Sequence, residues 1–223
     1  MGIVNFGIPE QEVKWLREKM GLNTVVEGGT FYGGTAQSLS KEFEMVYTIE
    51  KSDVMFEIAK DRLGSLPNIR QLHGDTREHL PKIVSESDNI LFWLDAHWSG
   101  GETYGEHDEC PLLAELDIIF HSQMNNFAIL IDDARLFLAP PPLPHQLENW
   151  PTIKQVVSKT PDHYDIIVHD DVIFIAPKSV EMPVFIQRIT TSSWGSNGGL
   201  SRLSLKNCIR ALFSSAIGYV KKK

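Results

Sequence analysis

The chain has 223 residues and a mass of 25.2 kDa, a size typical of one large domain. Hydrophobic residues make up 42% of it and charged residues 22%, and it has two cysteines, which together exclude a disordered chain, a collagen-like repeat and a disulfide scaffold. Residues 177–223 carry eight Lys or Arg and one acid, so with a net charge of −8 the remaining body is strongly acidic. We therefore expect no general nucleic-acid binding, because a phosphate backbone needs a basic surface.

The sequence also bears on where the protein works. It shows no recognisable leader segment and no apolar run long enough to span a bilayer. These features predict a cytoplasmic, reducing environment, with contact at the periphery of a membrane as the alternative.

The first part of the chain alternates helical periodicity with short apolar runs. In chain order the sequence predicts helix 11–20, strand 23–27, helix 35–43, strand 45–49, helix 54–63, strand 68–72, helix 76–84, strand 89–94, helix 112–120 and strand 127–131. The strand at 89–94 is almost wholly apolar, which is typical of a sheet covered on both faces. This alternation predicts an α/β fold with a doubly wound parallel sheet, whose ligands gather at the carboxyl ends of the strands.

The regular alternation stops after Asp133. Residues 138–145 read Leu-Ala-Pro-Pro-Pro-Leu-Pro-His, which predicts an extended polyproline segment and a candidate lid. A helix at 152–159 and two strands at 164–168 and 172–176 follow, and their short connection predicts an antiparallel last pair.

The end of the chain forms a second predicted region. We expect a main domain over residues 1–178, then a linker and a basic amphipathic helical tail over 179–223, with 192–199 as a flexible linker. The tail, residues 200–223, is expected either to dock on its own body or a second subunit, or to contact an anionic membrane surface.

A glycine-rich stretch follows the first predicted strand and reads Glu27-Gly28-Gly29-Thr30-Phe31-Tyr32-Gly33-Gly34-Thr35. Glycines allow the backbone to approach a ligand closely, and the next helix offers free N–H groups at its start. Glu50 ends the second strand, where an acid either accepts hydrogen bonds from ribose hydroxyls or is simply solvated. Asp75 follows the third strand, either beside an adenine or as the N-cap of the next helix.

Three carboxylates follow the fourth and fifth predicted strands: Asp95, Asp132 and Asp133. Neighbouring strand ends bring such side chains close enough to share a cation, and oxygen ligands favour Mg²⁺. Alternatively, Asp132 or Asp133 caps the next segment and Asp95 only binds substrate. His97 is the leading candidate for a general base, with a structural or metal-binding role as the alternative, and His145 is the reserve base.

The loop after the fourth strand is acidic. Residues 100–109 carry four acids, ending at Glu109, and we expect a solvated loop that closes one side of an acceptor pocket. A second metal site from His107, Asp108 and Cys110 is the alternative, but its spacing fits no zinc pattern well.

Over about residues 10–177 the chain resembles the class I S-adenosylmethionine-dependent methyltransferases. The acid-x-Gly-x-x-x-Gly form from Glu27 to Gly33 is similar to that of the catechol O-methyltransferase-like enzymes. The pair Asp132-Asp133 is similar to that of the macrocin and mycinamicin sugar O-methyltransferases. The resemblance implies a Rossmann-like sheet of seven strands with an antiparallel last strand.

The resemblance also implies a function and its residues. It implies that S-adenosylmethionine is held by Glu27, Gly28, Gly29, Thr30, Phe31, Gly33, Glu50, Asp75 and Asp95, and that Mg²⁺ or another divalent cation is held by Asp95, Asp132 and Asp133. Asp95 and His97 would then be catalytic in O-methylation of a small hydroxylated acceptor, such as a sugar or a catechol-like ring. The catechol-type lysine after His-Trp is replaced here by Ser99. This departure leaves a metal-independent methyltransferase and a noncatalytic nucleotide-binding or scaffold protein as alternatives.

Overall fold

A computed structural model describes residues 7–98 and 108–196, and the chain divides into two compact units between residues 181 and 182. The strands of the first unit are β1 (Thr24–Gly28), β2 (Met45–Glu50), β3 (Ile69–His73), β4 (Asn89–Leu94), β5 (Asn126–Ile131), β6 (Tyr164–His169) and β7 (Val172–Pro177). They form one sheet in the order β3-β2-β1-β4-β5-β7-β6. Strand β7 runs antiparallel to β5 and β6, and the other neighbouring pairs are parallel. The predicted doubly wound α/β sheet with an antiparallel last strand is confirmed.

The helices of the first unit precede the first strand or connect the strands. They are α1 (Glu10–Met20), α2 (Gly34–Leu39), α3 (Asp53–Leu63), α4 (Thr76–Glu86), α5 (Leu112–Phe120), α6 (Arg135–Leu138) and α7 (Ile153–Lys159), with short 3₁₀ turns at Leu147–Asn149 and Lys178–Val180. Two of these helices begin at a side-chain cap: Ser52 accepts a backbone N–H at the start of α3, and Asp75 does so at the start of α4. The four-residue helix α6 was not predicted, and α2 ends four residues before the predicted helix does.

The sheet is covered on both faces in its centre. Strands β4, β5 and β7 are buried along almost their whole length, and Phe92, Trp93 and Phe174 are among the largest fully buried side chains. Burial of each such side chain stabilises the fold by roughly 1.5–3 kcal/mol. The polar residues that follow these strands therefore project from a rigid support.

The second unit contains helix α8 (Met182–Ser196). This helix was not predicted, and its last turn takes up residues 192–196, so the expected linker is wrong there. The predicted tail helix and the whole of residues 200–223 lie outside the described residues. Across 7–98 and 108–196, no helix is both long and apolar enough to cross a membrane.

Candidate active site

A cavity of about 550 Å³ lies along the carboxyl ends of strands β1 to β5. Parallel strands present their carboxyl ends at one edge of the sheet, which is where doubly wound folds bind ligands. Of the residues predicted from the sequence, those that line this cavity are Gly29, Thr30, Phe31, Glu50, Asp75, Asp95, His97, Asp132 and Asp133. Glu27, Gly28, Gly33 and His145 are not among its lining residues.

The glycine loop packs tightly on the end of β4. Gly29 has a positive φ of 86°, and a Cβ there would lie 2.5 Å from the carbonyl oxygen of Asp95. Gly33 has φ 73°, and a Cβ there would lie 3.0 Å from Leu63. Both glycines are therefore required by the protein's own packing, and their contact with a cofactor stays a prediction.

Glu27 supports the glycine loop from beneath. Its side chain is 1% exposed, and it accepts a hydrogen bond of 2.5 Å from the Thr48 hydroxyl, which also meets the Thr30 hydroxyl at 2.6 Å. Burial raises the pKa of Glu27 to about 8. Glu27 thus fixes the shape of the loop from a position behind the cavity wall.

Glu50 reaches from the end of β2 to two backbone segments. One of its oxygens accepts the N–H of Phe31 at 2.9 Å, and the other accepts the N–H of Ser52 at 2.8 Å. Glu50 is only 8% exposed, so the solvated strand-end alternative is wrong. Each carboxylate oxygen can accept a second bond, so Glu50 can still take donors from a ligand in the cavity.

Asp75 is the N-cap of α4, as one of the two sequence interpretations stated. It accepts the N–H of Arg77 at 2.9 Å and forms ion pairs with Lys51 at 2.7 Å and with the Arg77 guanidinium at 2.6 Å. Burial opposes ionisation, but the bonds from Arg77 and Lys51 hold the pKa of Asp75 well below its usual value. This wall of the cavity therefore carries an ionised carboxylate whose charge is balanced by Lys51 and Arg77.

A histidine joins the carboxylates beyond β4 and β5. His97 Nε2 lies 2.9 Å from an oxygen of Asp133, and its Nδ1 lies 3.5 Å from an oxygen of Asp95. The second oxygen of Asp133 lies 2.6 Å from the guanidinium of Arg135. Asp132 accepts the backbone N–H of Asp133 at 2.8 Å. Asp95, Asp132 and Asp133 thus all line one cavity.

Burial and mutual repulsion change how these groups titrate. Burial, then the charges of the neighbouring acids, raises the pKa of Asp95 to about 7, and burial raises that of Asp132 to about 6. Burial favours the neutral ring of His97, but the bond to Asp133 and the surrounding carboxylates raise its pKa above the usual value. A cation brought into this end of the cavity would therefore be stabilised.

The same contacts test the predicted metal site. One oxygen of Asp133 contacts His97, and the other contacts the cationic guanidinium of Arg135, which would repel a metal ion placed beside it. Within residues 7–98 and 108–196, no group of three His, Cys, Asp or Glu side chains is arranged to hold a metal ion. The oxygen donors suit Mg²⁺ chemically, but in this arrangement they do not fit one, and Arg135 supplies positive charge beside them.

Two residues of the neighbouring loops differ from their predicted roles. Glu109 was expected to be solvated, yet it is 0% exposed. His145, the reserve base, lies 2.9 Å from the Glu109 carboxylate. Residues 100–107 of the predicted acidic loop lie outside the described part of the chain, so their role stays a prediction.

Comparison with solved structures identifies the fold. A putative caffeoyl-CoA O-methyltransferase from Staphylococcus aureus matches with a TM-score of 0.51 and 16% identity, over 78% of this chain and 86% of that one. The fold is that of a class I methyltransferase. A putative methyltransferase from Streptococcus mutans, in complex with SAH, matches with a TM-score of 0.49 and 12% identity, over 78% and 99% of the two chains. No family model and no curated protein matches the sequence.

The cavity of this methyltransferase fold suits S-adenosylmethionine in two respects. It offers the buried carboxylate of Glu50 at one end, with acceptor capacity left for hydroxyl groups. At the other end, Asp95 and Asp132 favour a cationic group, which a sulfonium is. The residues present therefore fit this cofactor, whereas they do not fit the metal ion.

Proposed function

We propose that the protein is an S-adenosylmethionine-dependent O-methyltransferase that acts on a hydroxyl of a small molecule, such as a sugar or a catechol-like ring. One observation carries the proposal: a single cavity joins Glu50 and the glycine loop to the His97, Asp95 and Asp133 cluster. A cofactor cradle and a proton-accepting group thus share one chamber. The class I methyltransferase fold supports the choice of cofactor.

Each end of the cavity has its own task. Glu50 would hold the ribose hydroxyls, and Gly29 and Thr30, which line the cavity, would lie against the cofactor. S-adenosylmethionine, when bound, supplies a methyl carbon on a positively charged sulfur. Asp95 and Asp132 would stabilise that charge. Because the cofactor carries the reactive carbon, the protein's main contribution is to align the acceptor oxygen and remove its proton.

Asp95 and His97 are suited to take that proton. The Asp95 side chain lines the cavity, and its pKa of about 7 matches the working range of a general base. His97 spans Asp95 and Asp133, so it can hold the proton once the acceptor oxygen has gained the methyl group.

Magnesium assistance stays a prediction, and the structure contains an observation in favour of a metal-independent reaction. The guanidinium of Arg135 contacts Asp133 and also pairs with Asp171, so a fixed cation already lies among the acids. A metal-independent reaction is therefore the second candidate. A chelator separates the two, because EDTA abolishes transfer only if a divalent ion takes part.

The proposal is tested with methyl-labelled S-adenosylmethionine and a panel of sugars and catechols, with and without EDTA. In His97→Gln, whose side chain cannot exchange a proton at neutral pH, we expect transfer to fall by about a hundredfold or more. His163→Gln, at an exposed position, is the matched control and should keep full transfer. Cofactor binding without transfer to any hydroxyl would favour the noncatalytic alternative, and an undiminished rate in His97→Gln would refute the assigned base.

A further inference from the structure

Glu109 is a buried acid that bonds to the end of the proline-rich loop, residues 139–150. One of its oxygens accepts the indole N–H of Trp150 at 2.5 Å and lies 2.9 Å from His145 Nδ1. Its other oxygen accepts the backbone N–H of Gln146 at 2.9 Å. A single fully buried carboxylate therefore gathers three groups from within six residues of the loop.

The backbone of Glu109 reaches in the other direction. Its carbonyl oxygen accepts the N–H of Trp98 at 2.8 Å, and Trp98 directly follows His97. Glu109 thus ties the chain beside His97 to the proline-rich loop, through its main chain on one side and its side chain on the other.

The loop held in this way packs against the imidazole. The rings of Trp150 and His97 meet edge to face, with centroids 5.4 Å apart, and the rings of His145 and Trp98 do the same at 5.5 Å. Trp150 is buried, whereas Leu143 and Leu147 are exposed. The bonds from Glu109 to His145, Gln146 and Trp150 therefore hold this loop beside the imidazole.

We infer that Glu109 is the positioning residue of His97, which it holds in place by closing the proline-rich loop over the imidazole ring. The inference rests on the proposed function, because the position of the ring matters to the reaction only if His97 handles the proton. Glu109 itself does not line the cavity, so it acts through Trp150 and Trp98.

The energetics of a buried charge support this role. Burial alone would raise the pKa of Glu109, but the bonds from Trp150, the Gln146 N–H and His145 hold it below its usual value. The carboxylate therefore stays ionised, and charge-assisted bonds of this kind are stronger than neutral ones. Opening the loop would leave the ionised Glu109 carboxylate buried without these donors, which is unfavourable in free energy. The charge of Glu109 therefore favours the closed loop.

Glu109→Gln tests the inference, with Glu148→Gln as the matched control on the same loop. Glutamine keeps one acceptor oxygen, but its NH₂ group would face the N–H groups of Trp150 or Gln146. We therefore expect the loop to open more often. Chymotrypsin cleavage after Leu138 and Leu147 should rise by about tenfold or more, corresponding to loss of about one such hydrogen bond. The side-chain resonances of His97 in nitrogen-labelled protein should shift, and Glu148→Gln should leave both readouts unchanged.

Trp150→Phe is the second variant, since it removes one donor and keeps an aromatic ring. It should move the His97 resonances in the same direction, and both variants should bind S-adenosylmethionine about as well as the unmodified protein. Unshifted His97 resonances with unchanged cleavage in Glu109→Gln would overturn the inference. If the unmodified protein binds no S-adenosylmethionine, the proposed function fails instead, and the spectra and the cleavage rates still report on the loop.

Discussion

Glu115 on α5 provides a sharp test of the energetics near the cavity. It is 1% exposed, and the hydroxyl of Thr76 at the start of α4 donates a hydrogen bond to it. Burial raises its pKa from 4.5 to about 7. The Thr76 hydrogen bond and the charges of Arg77 and His97 reduce this increase, whereas the charge of Asp75 adds to it. We therefore expect Glu115→Gln to change how stability depends on pH.

The magnitude follows from proton linkage. Below pH 4.5 the carboxyl is protonated in both states, and between pH 4.5 and 7 only the unfolded chain releases its proton. The contribution of Glu115 to the free energy of unfolding is therefore present at low pH and lost as the pH rises through 7. The pKa difference corresponds to a loss of about 3 kcal/mol, at 1.36 kcal/mol for each unit. Glutamine cannot ionise, so the variant escapes this loss.

Urea unfolding at pH 5 and pH 8.5 measures the difference. Relative to the unmodified protein, Glu115→Gln should gain about 2.5 kcal/mol between the two pH values, because the unfolded carboxyl is already mostly ionised at pH 5. This gain shifts the midpoint by about 1 M urea. The control Glu44→Gln, at an exposed position, should show no such gain. Parallel pH profiles for Glu115→Gln and the unmodified protein would refute the reasoning that burial keeps this carboxyl protonated.

Two further predictions concern the cofactor end of the cavity. Glu50→Gln should weaken S-adenosylmethionine binding by about tenfold or more in calorimetry, because an amide NH₂ would face the N–H of Phe31 or Ser52; an affinity within twofold of normal would contradict the assignment. Gly29→Ala should lower the free energy of unfolding by about 3 kcal/mol or more, since its Cβ would meet the Asp95 carbonyl oxygen at a positive φ; normal urea unfolding would show that the loop can relax.

Much of the fold follows from local pattern, and so does the placement of the carboxylates. Strand β4 is a continuous apolar run, and its ends could be predicted because burial on both faces demands such a run. The meeting of Asp95 and Asp132 follows from the rule that parallel strands end at one edge of the sheet. Neither prediction requires knowledge of a distant partner.

The features that were missed depend on partners far along the chain. Glu109 looked like one of several solvated acids, because its partners His145, Gln146 and Trp150 lie 36 to 41 residues away. The contact of Asp133 with Arg135 was missed for a different, local reason: Asp133 has a positive φ of 55° after β5, and its carboxylate pairs with the side chain two residues further on. An acid is visible in a sequence, but the group that its side chain meets in the fold is not.

The most direct test of the proposed cofactor is calorimetric titration of the unmodified protein with S-adenosylmethionine in the presence of EDTA. The account predicts saturable binding of one molecule per chain that does not require a divalent ion, because the residues of the cavity fit the cofactor without one. Absence of saturable binding, with or without added Mg²⁺, would contradict it.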